Sequence, residues 1–403
     1  MARNPTSSGG RAARNAAHYE RKIMRALLPR DQYEALSHSL YLNQASLGLI
    51  PRDSVEAMTA FLHDVAQHGN VRMSDVAEAR VLDDLRAAAA TLLDAPARSI
   101  AIIGGASEGL GQMAAALATS SGEVLLVPTD FPSVTYPWLA AQDRLGTAIR
   151  WVEDSPHTDL SAALIEAVSS STSVVCVSAV QYATGTALGV AAIARRAHEV
   201  GAKIIVDVTQ LAGAASVSMR QWSADALVCS GYKWLSAHGG VAILAVSDEL
   251  IAATPGIIGW KGVSDPFNFT AQTLALANDA RRYELSTMSY CSAVGLSRSL
   301  ALLAEVGAEA LAEHSRVLAE ELVGQVEPLG WAPFRALGGG SACGHIVSLR
   351  HATLSASAVQ ATLAAEHGVI VSSRGGGIRV SLHGYNDSSD VAAIADALKQ
   401  LAR

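Results

Sequence analysis

Charge is sparse in this 403-residue chain: only 17% of its residues are Asp, Glu, Lys or Arg, and aromatic residues supply 5%. The formal net charge of −7 leaves no basic excess, so nothing draws the protein electrostatically to nucleic acid or another polyanion. Four cysteines, Cys176, Cys229, Cys291 and Cys343, lie far apart, with no Cys-x-x-Cys pair and no histidine at zinc-binding spacing. No metal site is expected. Cys176 and Cys229 fall in apolar runs and read as reduced core residues, a usage that fits a cytoplasmic protein. No run approaches the roughly 18–20 apolar residues that a membrane span needs, so no membrane partner is expected. Residues 1–15 combine Arg, Ser, Gly and Asn without the apolar centre of a secretory signal, and read as part of a flexible arm. Small molecules remain the default ligands.

What the chain does have is apolar residues, half of the total, and more length than one hydrophobic core usually serves. A short helix is compatible with residues 17–28. Residues 41–49 (YLNQASLGL) read as an extended segment that then turns, and helical patterns follow over 52–68 and 73–93. From residue 100 onward, short apolar runs alternate with longer helical patterns, the sign of a βαβ series with a buried, mostly parallel sheet. The predicted strands are 99–103, 123–127, 148–152, 173–180, 203–208, 226–230 and 241–246, with helix patterns at 109–118, 136–144 and 192–200. A long helical pattern at 292–306 leads into a region of different composition. There a helix begins near Leu311, strands are predicted at 345–349, 369–372 and 378–382, and a helix over 389–402 closes the chain. The fold class is therefore α/β: a large domain with a mostly parallel sheet, then a smaller C-terminal α+β domain. The expected division is an arm over 1–40, a large domain over 41–290 whose segment 41–70 packs toward the small domain, and a small domain over 291–403.

In open parallel sheets, ligands gather at the carboxyl ends of strands. Three features fall there. Gly104-Gly105-Ala106-Ser107-Glu108-Gly109 follows a predicted strand and opens a helix, a setting in which backbone N–H groups and a serine hydroxyl can hold an anion. The same pattern is also common punctuation, a Gly-Gly turn before a Ser N-cap. Asp207 ends the run Lys203-Ile204-Ile205-Val206, where a buried carboxylate needs a cation, such as a protonated pyridine nitrogen, or several hydrogen bonds. Lys233, in Ser230-Gly231-Tyr232-Lys233-Trp234, leaves another apolar run beside two aromatic rings. Desolvation there would free its amine for attack on a carbonyl carbon, whereas most lysines reach water. Singly, each feature has a plainer explanation. A phosphate cup, a carboxylate for a ring nitrogen and a nucleophilic lysine at one sheet edge are together what pyridoxal 5'-phosphate (PLP) requires.

The run from Val177 to Val246, with DVTQ and SGYKW in order, resembles the class V aminotransferase and cysteine desulfurase group of fold-type I PLP enzymes, which includes kynureninases and isopenicillin-N-epimerase-like proteins. The similarity extends from about Tyr41 to the C-terminus. It implies that Lys233 is the Schiff-base lysine, that Asp207 pairs with the pyridine nitrogen and that Gln210 contacts the ring hydroxyl. Ala106, Ser107 and Ser230 would hold the phosphate. Phe131, in DFPSVTYPW, falls where relatives place a ring over the cofactor, and Phe there, like Tyr232 before the lysine, is what kynureninase-like members show. Tyr182 stands where many relatives have an Asn near the ring. RRYELST resembles the family's RFExGT motif, whose threonine, here Thr287, would reach the phosphate of a neighbouring subunit. A homodimer with shared active sites is implied. GIRVSLHGYN resembles RxSxxxYN, which makes Arg379 the clamp for the substrate carboxylate. Asn43 is expected to line the same pocket or to form a plain turn.

One departure narrows the reaction. Desulfurases carry a mobile loop with a nucleophilic cysteine shortly before the RxS motif, whereas Val371-Ser372-Ser373-Arg374-Gly375-Gly376-Gly377 is short and has none. Cys343 lies well upstream of Arg379. The expected activity is PLP chemistry at the α-carbon of an amino acid. The favoured form is β-elimination by a C–S lyase on a cysteine conjugate in specialised metabolism, like the enzymes that cleave such conjugates in ergothioneine and lincosamide biosynthesis. Transamination, epimerisation and decarboxylating or oxidative deamination remain alternatives, and a non-catalytic PLP-fold binding protein is an alternative of another kind. A pyridine-nucleotide enzyme fails on spacing, because Gly104–Gly109 holds no GxGxxG.

Overall fold

The computed structural model describes residues 23–402. Most of residues 17–28, where a helix is compatible with the sequence, lies outside the described residues, and 23–28 is not helical. The expected flexible arm is corrected over 24–40, which is fastened down. Leu28 and Tyr33 are buried, the amides of Leu27 and Leu28 donate to Gly384 O, and Arg30 pairs with Asp390. The two-residue strand β1 (Leu40–Tyr41) and the helices α1 (Arg52–His68) and α2 (Asp75–Leu92) follow.

The large sheet comprises β2 (Ile100–Ile103), β3 (Glu123–Leu126), β4 (Ala148–Trp151), β5 (Thr172–Ser178), β6 (Lys203–Asp207), β7 (Ala226–Ser230) and β8 (Ala242–Val246). Its order is β2-β8-β7-β6-β5-β3-β4, and only β8 runs antiparallel to its neighbours. The strands are apolar on both faces because both are covered. Ile204 and Val206 enter one core layer with Leu85 and Ile193, while Ile205 enters the opposite layer with Leu110 and Trp138.

The smaller sheet is built from β9 (Trp331–Pro333), β10 (Ile346–His351), β12 (Ser372–Arg374) and β13 (Gly377–Ser381), in the order β12-β13-β10-β9, all antiparallel. A two-residue strand, β11 (Val369–Ile370), pairs in parallel with β1. The predicted strand over 369–372 is thus two strands, because the chain changes partner at Val371. The alternation in this sheet is strict. Val347, Leu349, Ile378 and Val380 pack against apolar residues of the helices Ala308–Val326, Ala356–His367 and Ser388–Leu401. Ser348, Ser372, Arg379 and Ser381 occupy the opposite face and are nonetheless buried.

The N-terminal segment ties the two sheets together. Leu42 N donates to Ile370 O, Ser381 N donates to Leu42 O, and Asn43 bridges to Ser381. No single described helix is long and apolar enough to cross a membrane; one sharply bent pair, 290–306 with 308–329, passes on length and composition, but most of its residues are buried or half-buried.

Candidate active site

Strand register gathers the three sequence features. Ala242, which starts β8, pairs with Ser230 on one side and with Ile103 on the other, so the Gly104–Gly109 turn and the end of β7 flank it. Asp207 ends β6 beside Val228 of β7 and Ser178 of β5. Together these strand ends line a cleft of about 160 Å³. Ala106, Ser107, Phe131, Tyr182, Asp207, Gln210, Ser230, Tyr232 and Lys233, all singled out from the sequence, line it.

Lys233 is 6% exposed. Burial pushes its pKa down to about 8; the Asp207 charge opposes this, and the positive charges of Arg379 and Arg374 reinforce it. Its Nζ lies 5.1 Å from the centre of the Phe131 ring and 5.7 Å from that of Tyr232. The backbone is held from behind. Gln44 donates through Nε2 to Lys233 O at 2.9 Å and to Ser236 Oγ at 3.0 Å, while its Oε1 accepts from Leu49 N and Tyr385 OH. Gly48 approaches so closely that a Cβ there would sit 2.1 Å from Lys233 O; only glycine fits.

Asp207 is equally buried. Desolvation pushes its pKa up, and the amide of Thr209, donating to Oδ1 at 2.8 Å, together with the Lys233 charge, pulls it down. Helix α3 (Ala106–Leu117) starts at the cleft with no side-chain cap, which leaves its first amides to an external acceptor. Ser107 Oγ lies 2.6 Å from Ser133 Oγ, so two hydroxyls stand at this end. The Gln210 side chain is already engaged: Nε2 donates to Ala45 O at 3.1 Å, and Oε1 accepts from Trp234 Nε1 at 2.7 Å. One Nε2 hydrogen remains for a ring hydroxyl. The Tyr182 ring meets Phe131 edge-on at 5.3 Å.

Three expected residues do not line the cleft. Arg379 lies in β13, 1% exposed, and donates to Tyr182 O at 2.8 Å and to Ser46 Oγ at 2.5 Å. No carboxylate among the described residues pairs with it, and burial pulls its pKa down to about 10. Its Nε, Asn43 Oδ1 and the hydroxyls of Ser348, Ser372 and Ser381 have no hydrogen-bond partner among the described residues. Asn43 thus sits in its bridge to Ser381, near that polar face. Thr287 is exposed and away from the cleft of its own chain.

Other residues escaped the sequence reading. Ser133, Ser178 and Thr209 also line the cleft. Asp130 is buried beneath it, accepting from Ser178 Oγ at 2.5 Å, Ser178 N at 2.8 Å, Gln181 Nε2 at 3.1 Å and its neighbour Phe131 N at 2.9 Å. Burial pushes its pKa up to about 6 against those hydrogen bonds. Asp130 thereby fixes the start of the helix Pro132–Leu145 and the ring of Phe131. The DF pair after a strand was its only sequence signal.

An uncapped helix start with two hydroxyls suits a phosphate, a buried carboxylate suits a pyridine nitrogen, and a desolvated amine suits an aldehyde. With a seven-stranded, mostly parallel sheet positioning all three, the fold and site are those of a fold-type I PLP-dependent enzyme. The chain belongs to the class-V aminotransferase family, whose model matches residues 40–394. It is 26% identical over 388 residues to a probable cysteine desulfurase of Methanothermobacter thermautotrophicus, covering 91% of this chain and 96% of that protein. A kynureninase of Deinococcus radiodurans is 30% identical over 310 residues, 74% of each chain. Among solved structures, the cystine C–S lyase C-DES in complex with its reaction product cysteine persulfide superposes with a TM-score of 0.82 at 21% identity, covering 91% of this chain and 99% of that one. That likeness concerns the fold.

Proposed function

We propose that the protein is a PLP-dependent C–S lyase that cleaves the Cβ–S bond of a cysteine conjugate or a cysteine-like amino acid. The observation that carries this reading is the hairpin where desulfurases hold their cysteine loop. Arg374 pairs with Gly377, leaving only Gly375 and Gly376 in the turn, with φ of +54° and +78°, the two positive values of a type I′ turn. No loop remains to carry a thiol. None of the four cysteines lines the cleft, and Cys343, buried with its Sγ 3.7 Å from Ile346 O, has its pKa pushed up to about 12. Sulfur would therefore leave as a free thiol or sulfide and not as a persulfide on the protein. The relatives named as cysteine desulfurases support cleavage of a Cβ–S bond.

When bound, PLP supplies an electrophilic carbon for the amine and a ring that accepts the electron pair released at Cα. Lys233 would hold the cofactor covalently through Nζ, and its free amine would serve as the base for the Cα proton. Asp207 would pair with the ring nitrogen and Gln210 with the ring hydroxyl. Ala106, Ser107 and Ser230 would hold the phosphate, and Phe131, Tyr182 and Tyr232, which line the same cleft, would contact the ring. Arg379 binds the α-carboxylate, with Asn43 beside it. A buried guanidinium with no acid partner is costly unless an anion arrives, and an amino acid carries one.

The functional unit in this reading is a homodimer, with residues 41–290 forming the cofactor domain and 291–403 the small domain. Thr287 would reach the partner's phosphate. The segment before it, 257–274, supports a covered surface: Ile258, Trp260, Phe269 and Leu274 are all exposed around a cavity of about 610 Å³, and Ile257 beside them is exposed too. The test of the reaction is product analysis. Incubated with an S-alkyl cysteine, the holoenzyme should yield pyruvate, ammonia and the alkyl thiol in equal amounts. A 2-oxo acid that retains the sulfur and its substituent would mean transamination and would end the lyase proposal.

A further inference from the structure

Two guanidinium groups share the polar face of the small sheet, and an amino acid's own carboxylate answers only one of them. Register sets Arg379 opposite Ser372. Arg374 lies two residues further along the same strand, so its side chain leaves the sheet on the Arg379 face. The turn that follows rests against the cleft wall: a Cβ added at Gly375 would sit 3.4 Å from that of Ala183, the neighbour of Tyr182. The hairpin is also anchored from outside, by Arg350 donating to Gly375 O and Ser373 N donating to Gln360 Oε1, each at 2.7 Å.

Arg374 itself is exposed and makes no ion pair among the described residues; the one hydrogen bond it makes is to the adjacent Ser373 carbonyl. Its charge is nonetheless felt by both Arg379 and Lys233, whose protonated forms it disfavours. Arg374 thus stands at the hairpin end of the face that carries Arg379, beside the turn that packs on Ala183 next to Tyr182. Asp207, the acid that faces Lys233, lies at the end of β6 and would be taken up by the cofactor's ring nitrogen. A substrate seated with its α-carboxylate on Arg379 would extend its side chain past a second, unmatched positive charge.

We propose that Arg374 is a specificity residue that selects amino acids whose side chain ends in a carboxylate, so that the preferred substrates are cysteine conjugates of acids. The inference rests on the C–S lyase reading for the sulfur alone; the charge preference holds for any amino acid bound in this cleft.

An isosteric pair tests it: S-carboxymethyl-cysteine and S-carbamoylmethyl-cysteine differ by an acid against a neutral amide. Binding to the holoenzyme is followed by the change in its visible absorbance, and turnover by pyruvate. The acid should bind about three- to tenfold more tightly than the amide, the range between an exposed ion pair and a charge-assisted hydrogen bond. Arg374→Gln should bring that ratio to about one, and Arg374→Glu should reverse it. Because the ratio is internal to each variant, a general loss of binding cannot mimic the result. Equal affinities in the native enzyme, or a ratio that survives Arg374→Gln, overturn the proposal. A preference seen by absorbance with no pyruvate from either compound supports Arg374 and removes the lyase reading; pyruvate from both with no preference does the reverse.

Discussion

Arg379→Met separates what an arginine does for substrate from what it does to the empty protein. In the structure the guanidinium is 1% exposed and unpaired with any acid, and its pKa falls from 12.5 to about 10. That drop corresponds to about 3 kcal/mol held against the charged form at neutral pH. Methionine of similar length removes this penalty. It also gives up the charge-assisted hydrogen bonds to Tyr182 O and Ser46 Oγ, a loss of about 3–6 kcal/mol in total. The balance predicts a thermal midpoint for the cofactor-free protein that stays level or falls, by up to about 4 °C. Substrate binding goes the other way. Loss of a buried guanidinium–carboxylate pair costs about 3–5 kcal/mol, so kcat/KM for an S-alkyl cysteine should fall about 10²- to 10⁴-fold. Differential scanning calorimetry and steady-state kinetics on one preparation measure both. If the midpoint drops by more than about 4 °C, or if kcat/KM stays within about fivefold of the original, the argument from the unpaired charge is wrong.

Two further predictions concern the cofactor. Lys233 must be neutral to attack the aldehyde, and burial leaves its pKa at about 8. Reconstitution of the cofactor-free protein with PLP should therefore quicken about tenfold per pH unit below that value and level off above it. Because the Asp207 charge raises the lysine pKa, Asp207→Asn should move the inflection to lower pH; an inflection near the ordinary 10.5 would place the amine in water. For the dimer, sedimentation equilibrium should give twice the chain mass, and Trp260→Asp in the exposed aromatic cluster should lower it. A monomer with full activity would rule out the shared site assigned to Thr287.

Much of the cleft was legible because the groups proposed for catalysis stand at the ends of apolar runs. Asp207 ends β6 and Lys233 lies three residues beyond β7, and alternation of strand and helix announced the sheet that aligns them. What remained hidden depends on contacts between distant residues. Gln44 is separated from Lys233 by 189 positions, and no local pattern marks it as the brace of that peptide. Asp130 acts through Ser178 and Gln181, some 50 positions on. The helix Ala356–His367 buries only Val359 and Leu363, too thin an apolar stripe to stand out, and β9, at three residues, is too short to show alternation. The split of 369–372 turned on β1, a partner more than 300 residues away.

That last pairing bears on how the molecule is made. The segment around residues 27–49 finds its partners at Lys233, Val369, Ile370, Ser381 and Gly384. During synthesis it therefore emerges early and must wait while over 300 more residues are polymerised. The large sheet and the Gln44 brace behind the lysine can form before then, but the seat of Arg379 cannot. An N-terminal fragment released before β13 could align the strand ends that line the cleft, but it would lack Arg379 and the strand that seats it.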